Sequence, residues 1–204
     1  MADFDVFNGD ADGICALIQL RNAEPRTATL VTGVKRDINL LDRVVAGEGD
    51  RVTVLDVSMD KNKESLLRIL EAEAEVFYSD HHVAGDIPED KNLEALINTA
   101  PDVCTSILVN GYLKSAYLGW AVVGAYGDNL FASAGSLARP LDLEDAQLLK
   151  LKNLGTYLNY NGYGSSLEDL HFAPTDLYLK TVPFADPFMF MEEDGETFSS
   201  LEEG

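Results

Sequence analysis

Short apolar runs that end on an acidic residue recur along the first half of the chain. Phe4-Asp5-Val6-Phe7 leads into Asn8-Gly9-Asp10-Ala11-Asp12-Gly13, and residues 14–20 then have the length and composition of a helix start. Ala28-Thr29-Leu30-Val31 is a second apolar stretch, followed by Lys35 and Arg36. Arg51-Val52-Thr53-Val54-Leu55 is rich in β-branched residues and closes on Asp56, with a helical pattern over residues 63–72 behind it. Val76-Phe77-Tyr78 then runs into Asp80-His81-His82. Strands alternating with helices predict an α/β fold, a doubly wound and mainly parallel sheet flanked by helices. In such sheets ligands bind beyond the carboxyl ends of the strands, where Asp10, Asp12, Asp56 and Asp80 are all expected to emerge.

The second half of the pattern is helical. Residues 102–109 predict a helix with Asp102 as its cap, covering the sheet after the His-His turn. The small-residue apolar segment from Trp120 to Gly127 predicts a helix able to pack closely against a site, and it too ends on an acid, Asp128. Residues 141–158 predict another helix, broken by Asn159-Tyr160-Asn161-Gly162-Tyr163-Gly164, which reads as a loop rather than a substrate lid or base-stacking edge. Residues 166–170 and 174–181 predict short helices, 184–191 are apolar, and the acidic residues 192–204 are expected to be disordered. The expected organisation is thus a catalytic α/β domain over residues 1–158, a helical extension over 159–191 and a disordered tail.

Asp80-His81-His82 carries the chemistry most plainly. Two of the chain's three histidines stand in this one turn beside a carboxylate. Imidazole is the commonest transition-metal ligand and carboxylate suits magnesium or manganese, so the mixture points to a catalytic divalent cation. Gathering several carboxylates without a cation costs repulsion and desolvation, which a bound ion relieves. Candidate ligands are Asn8, Asp10, Asp12, Asp56, Asp80, His81 and Asp128, enough for two ions. A two-metal site acidifies water and holds the attacking and leaving oxygens for displacement at phosphorus. His82 is then placed to donate to a phosphate oxygen, and Lys35 and Arg36 are candidates for binding the substrate phosphate, against a plain reading as a solvated basic turn. Two look-alikes are weaker. A calcium loop needs a carboxylate where Gln19 stands, and a haloacid-dehalogenase phosphatase does not require the His-His pair.

These four segments, Asn8 to Gly13, Asp56, Asp80-His81-His82 and Gly124 to Asp128, resemble in order and spacing the motifs of the DHH phosphoesterase superfamily. That group spans RecJ-like single-strand nucleases, oligoribonucleases, cyclic-dinucleotide phosphodiesterases, exopolyphosphatases and manganese-dependent pyrophosphatases. The resemblance covers residues 3–130 and implies two Mn2+ ions, Mg2+ being the substitute. It implies that Asp56 bridges them, with Asp10 on one side, Asp12, His81 and Asp128 on the other, and His82 facing the phosphate. Asn8 departs from the histidine or aspartate usual in relatives. Relatives commonly carry a second, glycine-rich substrate-binding domain, expected here to be absent: either the chain is a fragment or the apolar residues before the tail mark the contact it would make, with a homodimer as the other expected partner.

Charge narrows the partners. With 35 acids against 15 bases the net charge is -20, unsuited to a long nucleic acid, so a short phosphorylated or oligonucleotide substrate is expected. Cys15 and Cys104 lack metal-site spacing, no apolar stretch is long enough for a bilayer, and no leader pattern is present, so a reduced cytoplasmic setting without membrane contact is expected. The expected activity is a manganese-dependent phosphoesterase. The alternatives are a pyrophosphatase or polyphosphatase, and a catalytically silent module that binds metal or a partner.

Overall fold

The computed structural model describes residues 1–204. The apolar runs become the parallel strands β1 (Asp3–Phe7), β2 (Thr29–Val31), β3 (Arg51–Leu55) and β4 (Glu75–Asp80). A further parallel strand, β5 (Leu93–Ile97), pairs with β4 at the edge of the sheet. The spatial order is β2-β1-β3-β4-β5, so the chain reverses its direction of travel across the sheet at β1. That reversal opens a crevice between the carboxyl ends of β1 and β3, the usual ligand position in a doubly wound sheet.

Alternation along the strands feeds two cores. Val6, Val52, Val54, Val76 and Tyr78 point to one face, where α2 (Lys63–Glu71) contributes Leu66, Ile69 and Leu70. Phe7 and Leu55 point to the other, into a larger core built by α1 (Ala11–Ala23) and the later helices. Arg21 of α1 is buried there, paired to Asp5 of β1 at 2.7 Å and bonded to Thr53 of β3 at 2.8 Å, which satisfies a charge that would otherwise destabilise the interior.

Every regular element after β5 is a helix, the longer ones being α3 (Thr105–Tyr112), α4 (Leu118–Gly127), α5 (Phe131–Ala138), α6 (Asp145–Asn161), α7 (Pro174–Thr181), α8 (Pro187–Glu193) and α9 (Gly195–Glu203). Helix α4 is buried almost all round, wedged against α1 and α6. Its close approach depends on Gly127, where a Cβ would strike the Ala11 side chain and lie 2.8 Å from the Gly155 carbonyl oxygen.

Three expectations need correcting. Helix α3 begins at Thr105, with Cys104 in the cap position, and Asp102 does not cap it. Helix α6 begins at Asp145 rather than 141, because residues 139–141 form a separate 3-10 turn and Asp142 adopts a left-handed backbone, and it runs on to Asn161 rather than breaking at Asn159, with Gly162 as its C-cap. The acidic C-terminal segment is not disordered: Asp194 caps α9, and Thr197 and Leu201, one turn apart, are both buried, Leu201 within the larger core. Its acids face solvent, so composition hides an amphipathic helix.

Candidate active site

Asp10 closes the turn after β1 and caps α1, its Oδ1 accepting the Asp12 and Gly13 amides at 3.1 and 3.2 Å. This is why acids follow the first strand: the carboxylate satisfies amides that the helix leaves unpaired. Asp12, two residues farther and in the first turn of α1, is buried and performs a second capping role over a long sequence distance. Its Oδ2 accepts the Thr105 amide at 2.7 Å and its Oδ1 the Ser106 amide at 2.8 Å, at the N-terminus of α3. The helix end favours the anion and fixes its direction.

Asp56 follows β3 at φ 58°, a left-handed conformation uncommon outside glycine and concentrated at functional sites. Its amide is held by the Ser79 carbonyl of β4 at 3.0 Å, and its Oδ1 accepts from the Thr105 hydroxyl at 3.2 Å. Burial, then the fields of Asp12 and Asp10, push its carboxyl well above the usual range, against the pull of His81.

His81 donates from Nδ1 to the Val103 carbonyl at 3.1 Å. A carbonyl can only accept, so this bond assigns the tautomer and turns Nε2 toward the acids, 3.4 Å from Asp56 Oδ1 and 3.9 Å from Asp128 Oδ2. Burial disfavours the imidazolium, but the bond to Asp56 and the fields of Asp12, Asp56 and Asp128 outweigh it and raise the pKa to about 10. Asp128 ends α4 and is raised to about 6 by burial and by Asp12, with His81 opposing. His82 is turned by Asp80, whose Oδ1 lies 2.7 Å from His82 Nδ1. Its Nε2 is left for a ligand.

Ligand atoms of Asp56, His81 and His82 lie within 4.8 Å of one another, and so do those of Asp12, His81 and Asp128. Both triads share His81. A divalent cation fits these donors, because an imidazole nitrogen aimed at two carboxylates needs either a proton or a cation between them. Asp80 Oδ2 and Asn8 Oδ1 are buried without a partner, which also leaves acceptors over in the protein alone. Asn8, Asp10, Lys35, Asp56, His81, His82 and Asp128 all border one cavity of about 200 Å³ at the carboxyl edge of the sheet.

Not every sequence candidate plays its expected part. Asp80 belongs to neither triad and orients His82. Arg36 is exposed and borders a different depression with Tyr163 and Asp169. Lys35 does reach the cavity, but its Nζ is bonded to Asp10 Oδ2 at 2.7 Å and to Asn159 Oδ1 at 2.8 Å. Thr105, Ser106, Val103 and Asn159 escape sequence reasoning, since the first three act mainly through backbone groups and Asn159, in the last turn of α6, belongs to a stretch with the composition of an ordinary loop. A larger cavity of about 350 Å³ opens at the opposite edge of the sheet, but its Arg26 and Arg51 are paired with Glu24 and Asp3.

No family model matches the chain, and no curated protein does. Among solved structures it is similar to an exonuclease RecJ bound to manganese, with 15% identity and a TM-score of 0.58, over 99% of this chain and 61% of that one. It is also similar to the DHH domain of a member of the s1p family of ribosomal proteins, with 14% identity and a TM-score of 0.60, over 99% of this chain and 56% of that one. The chain therefore spans roughly three fifths of the length of these two neighbours. At such identities the likeness speaks for architecture alone, and on that ground this chain has the fold of a DHH domain.

Proposed function

We propose that the chain is a divalent-metal-dependent phosphoesterase that hydrolyses a short phosphodiester, a nucleoside bisphosphate or a related small phosphorylated substrate. The observation that supports it most is the direction of His81 Nε2, aimed at Asp56 and Asp128 from a ring whose other nitrogen is committed to a carbonyl. Asp12, Asp56, His81 and Asp128 are the residues that would hold the cation, and manganese suits their mixture of imidazole and carboxylate. When bound, such an ion supplies Lewis-acid polarisation of phosphoryl oxygens and acidification of water.

The chain's own groups prepare the rest. Thr105 and Ser106 amides hold both oxygens of Asp12, so the carboxylate keeps its direction whether or not a ligand is present. Asp80 holds His82 through Nδ1, so that the imidazolium form of the ring would present Nε2–H to a non-bridging phosphate oxygen as charge grows on it. Val103 prevents the His81 ring from flipping. These outer contacts set ligand direction, and losing one typically lowers metal affinity or activity about 10- to 100-fold.

The test is turnover on a panel of a dinucleotide, a cyclic dinucleotide, pyrophosphate and a nucleoside bisphosphate, with manganese and with chelator. Manganese-dependent release of a nucleotide product supports the reading, and orthophosphate from pyrophosphate alone would move it to a pyrophosphatase. Metal binding with no turnover on any substrate would reduce the chain to a silent metal-binding module.

A further inference from the structure

We infer that this chain holds one divalent cation rather than a pair, and that the Lys35 ammonium stands on Asp10 in place of a second ion. The inference rests on the metal-site reading above. Its starting point is Asp10, the acid of the β1 turn that already carries a cation of the protein's own: Asp12 gives its oxygens only to neutral amides, whereas one oxygen of Asp10 is held by an ammonium. Oδ1 accepts two amides of α1 and Oδ2 receives Lys35 Nζ at 2.7 Å. Asp10 accordingly belongs to neither triad of converging ligand atoms, although it borders the same cavity. The neighbouring position is occupied by Asn8, whose neutral amide brings no charge to attract a second ion.

Lys35 is seated rather than loosely collapsed onto the acids. Its ammonium also donates to Asn159 Oδ1 at 2.8 Å and lies 5.5 Å from the centre of the Tyr163 ring. Its own amide donates to the Gly162 carbonyl at 2.9 Å, which fixes the base of the side chain. All three partners come from the end of α6 and the turn after it, a segment remote in sequence. A half-buried ammonium with a carboxylate, an amide oxygen and an aromatic face around it is a built cation site whose cation belongs to the protein. One fixed positive charge there also repels a divalent ion at the Asp10 side. Both triads depend on His81, and a single imidazole nitrogen serves one ion at a time, so an ion in either triad leaves the other with two of its three donors.

Equilibrium dialysis with Mn2+ followed by elemental analysis, together with electron paramagnetic resonance, tests this without any substrate. The wild-type chain should take up one manganese and show the signal of isolated Mn2+. Lys35→Met and, as a second neutral variant, Lys35→Gln should take up more than one, with a spin-coupled signal as neighbouring ions fill the site. Circular dichroism checks that each variant is folded. Two ions with a coupled signal in the wild type would overturn the inference while keeping the metal site. One ion in the wild type and in both folded variants would overturn the role of Lys35. If neither variant folds, the wild-type stoichiometry and spin coupling decide alone. Absence of manganese binding in every form would instead remove the metal-site reading on which the inference stands.

Discussion

Asp56 combines a strained backbone with a central position among the acids, and the two properties can be separated by one substitution. Asparagine tolerates the left-handed conformation at φ 58° nearly as well as aspartate, so Asp56→Asn removes charge while keeping the turn. Its metal-free melting temperature should equal or exceed that of the wild type, because burial and the fields of Asp12 and Asp10 already oppose the carboxylate. Turnover should fall by more than the roughly 100-fold of an outer-contact loss, and retention of wild-type turnover and metal affinity would remove Asp56 from the site. A second prediction follows from the raised pKa values. Asp128 ionises near 6 in the folded metal-free chain against 3.8 for the free group, and His81 loses its proton near 10 against 6.5. Each binds its proton more tightly folded than unfolded. The contribution of Asp128 is fully present below 3.8 and lost as pH rises through 6, and that of His81 is fully present below 6.5 and lost as pH rises through 10. A cation that replaces these protons binds better as they leave. The rise in melting temperature caused by saturating manganese should therefore grow between about pH 5 and about pH 8, and a gap independent of pH would contradict the proposed ligands.

Helix α4 is the element that carries Asp128 to the carboxyl edge of the sheet, and it can do so only because its packing faces are small. Gly127→Ala should press a methyl into Ala11 and the Gly155 backbone, costing about 1–3 kcal/mol and weakening manganese affinity by displacing the adjacent Asp128. Gly111→Ala in α3, where an added Cβ meets nothing within 4 Å, is the matched control and should be neutral or stabilise by about 0.5–1 kcal/mol. Denaturant unfolding of the two metal-free variants compares them, and equal stability would show that α4 is not closely packed. The small residues from Trp120 to Gly127 announced this packing in the sequence, as the β-branched and aromatic runs announced β1, β3 and β4. Strand β5 gave no such signal: Leu93-Glu94-Ala95-Leu96-Ile97 lies at the sheet edge, half exposed, and lacks the continuous apolar character of an inner strand. The cap of α3 was equally illegible. Asp102 is the local candidate, whereas the helix takes its anion from Asp12, a long-range contact that no neighbouring residue encodes. The Asn-Gly-Tyr stretch that ends α6 looked like an ordinary loop for the same reason, since its support of Lys35 exists only once residues far apart in the chain meet.

At the scale of the whole molecule, charge restricts what can approach the site. The chain carries -20, and the bases around the carboxyl edge are largely engaged: Lys35 with Asp10, Arg43 with Asp37, Lys61 with Asp60. A small phosphorylated molecule entering the cavity meets His82 and the fixed donors there, and within a Debye length of about 8 Å a bound cation outweighs the distant acidic surface. Each phosphate beyond the cavity gains no such partner and adds repulsion, because affinity for an extended polyanion comes from neutralising its phosphates with free lysines and arginines. A dinucleotide or a nucleoside bisphosphate should therefore be turned over faster than a strand of about twenty nucleotides at an equal concentration of ends, and turnover should fall steadily with length. Added salt should narrow the difference by screening the acidic surface, the reverse of its effect on a basic nuclease, whose binding weakens as salt rises. Initial rates on a length series at low and physiological ionic strength measure both trends. Processive degradation of the long strand at physiological salt would overturn the short-substrate reading, because it would require a path for the strand that these paired bases do not supply.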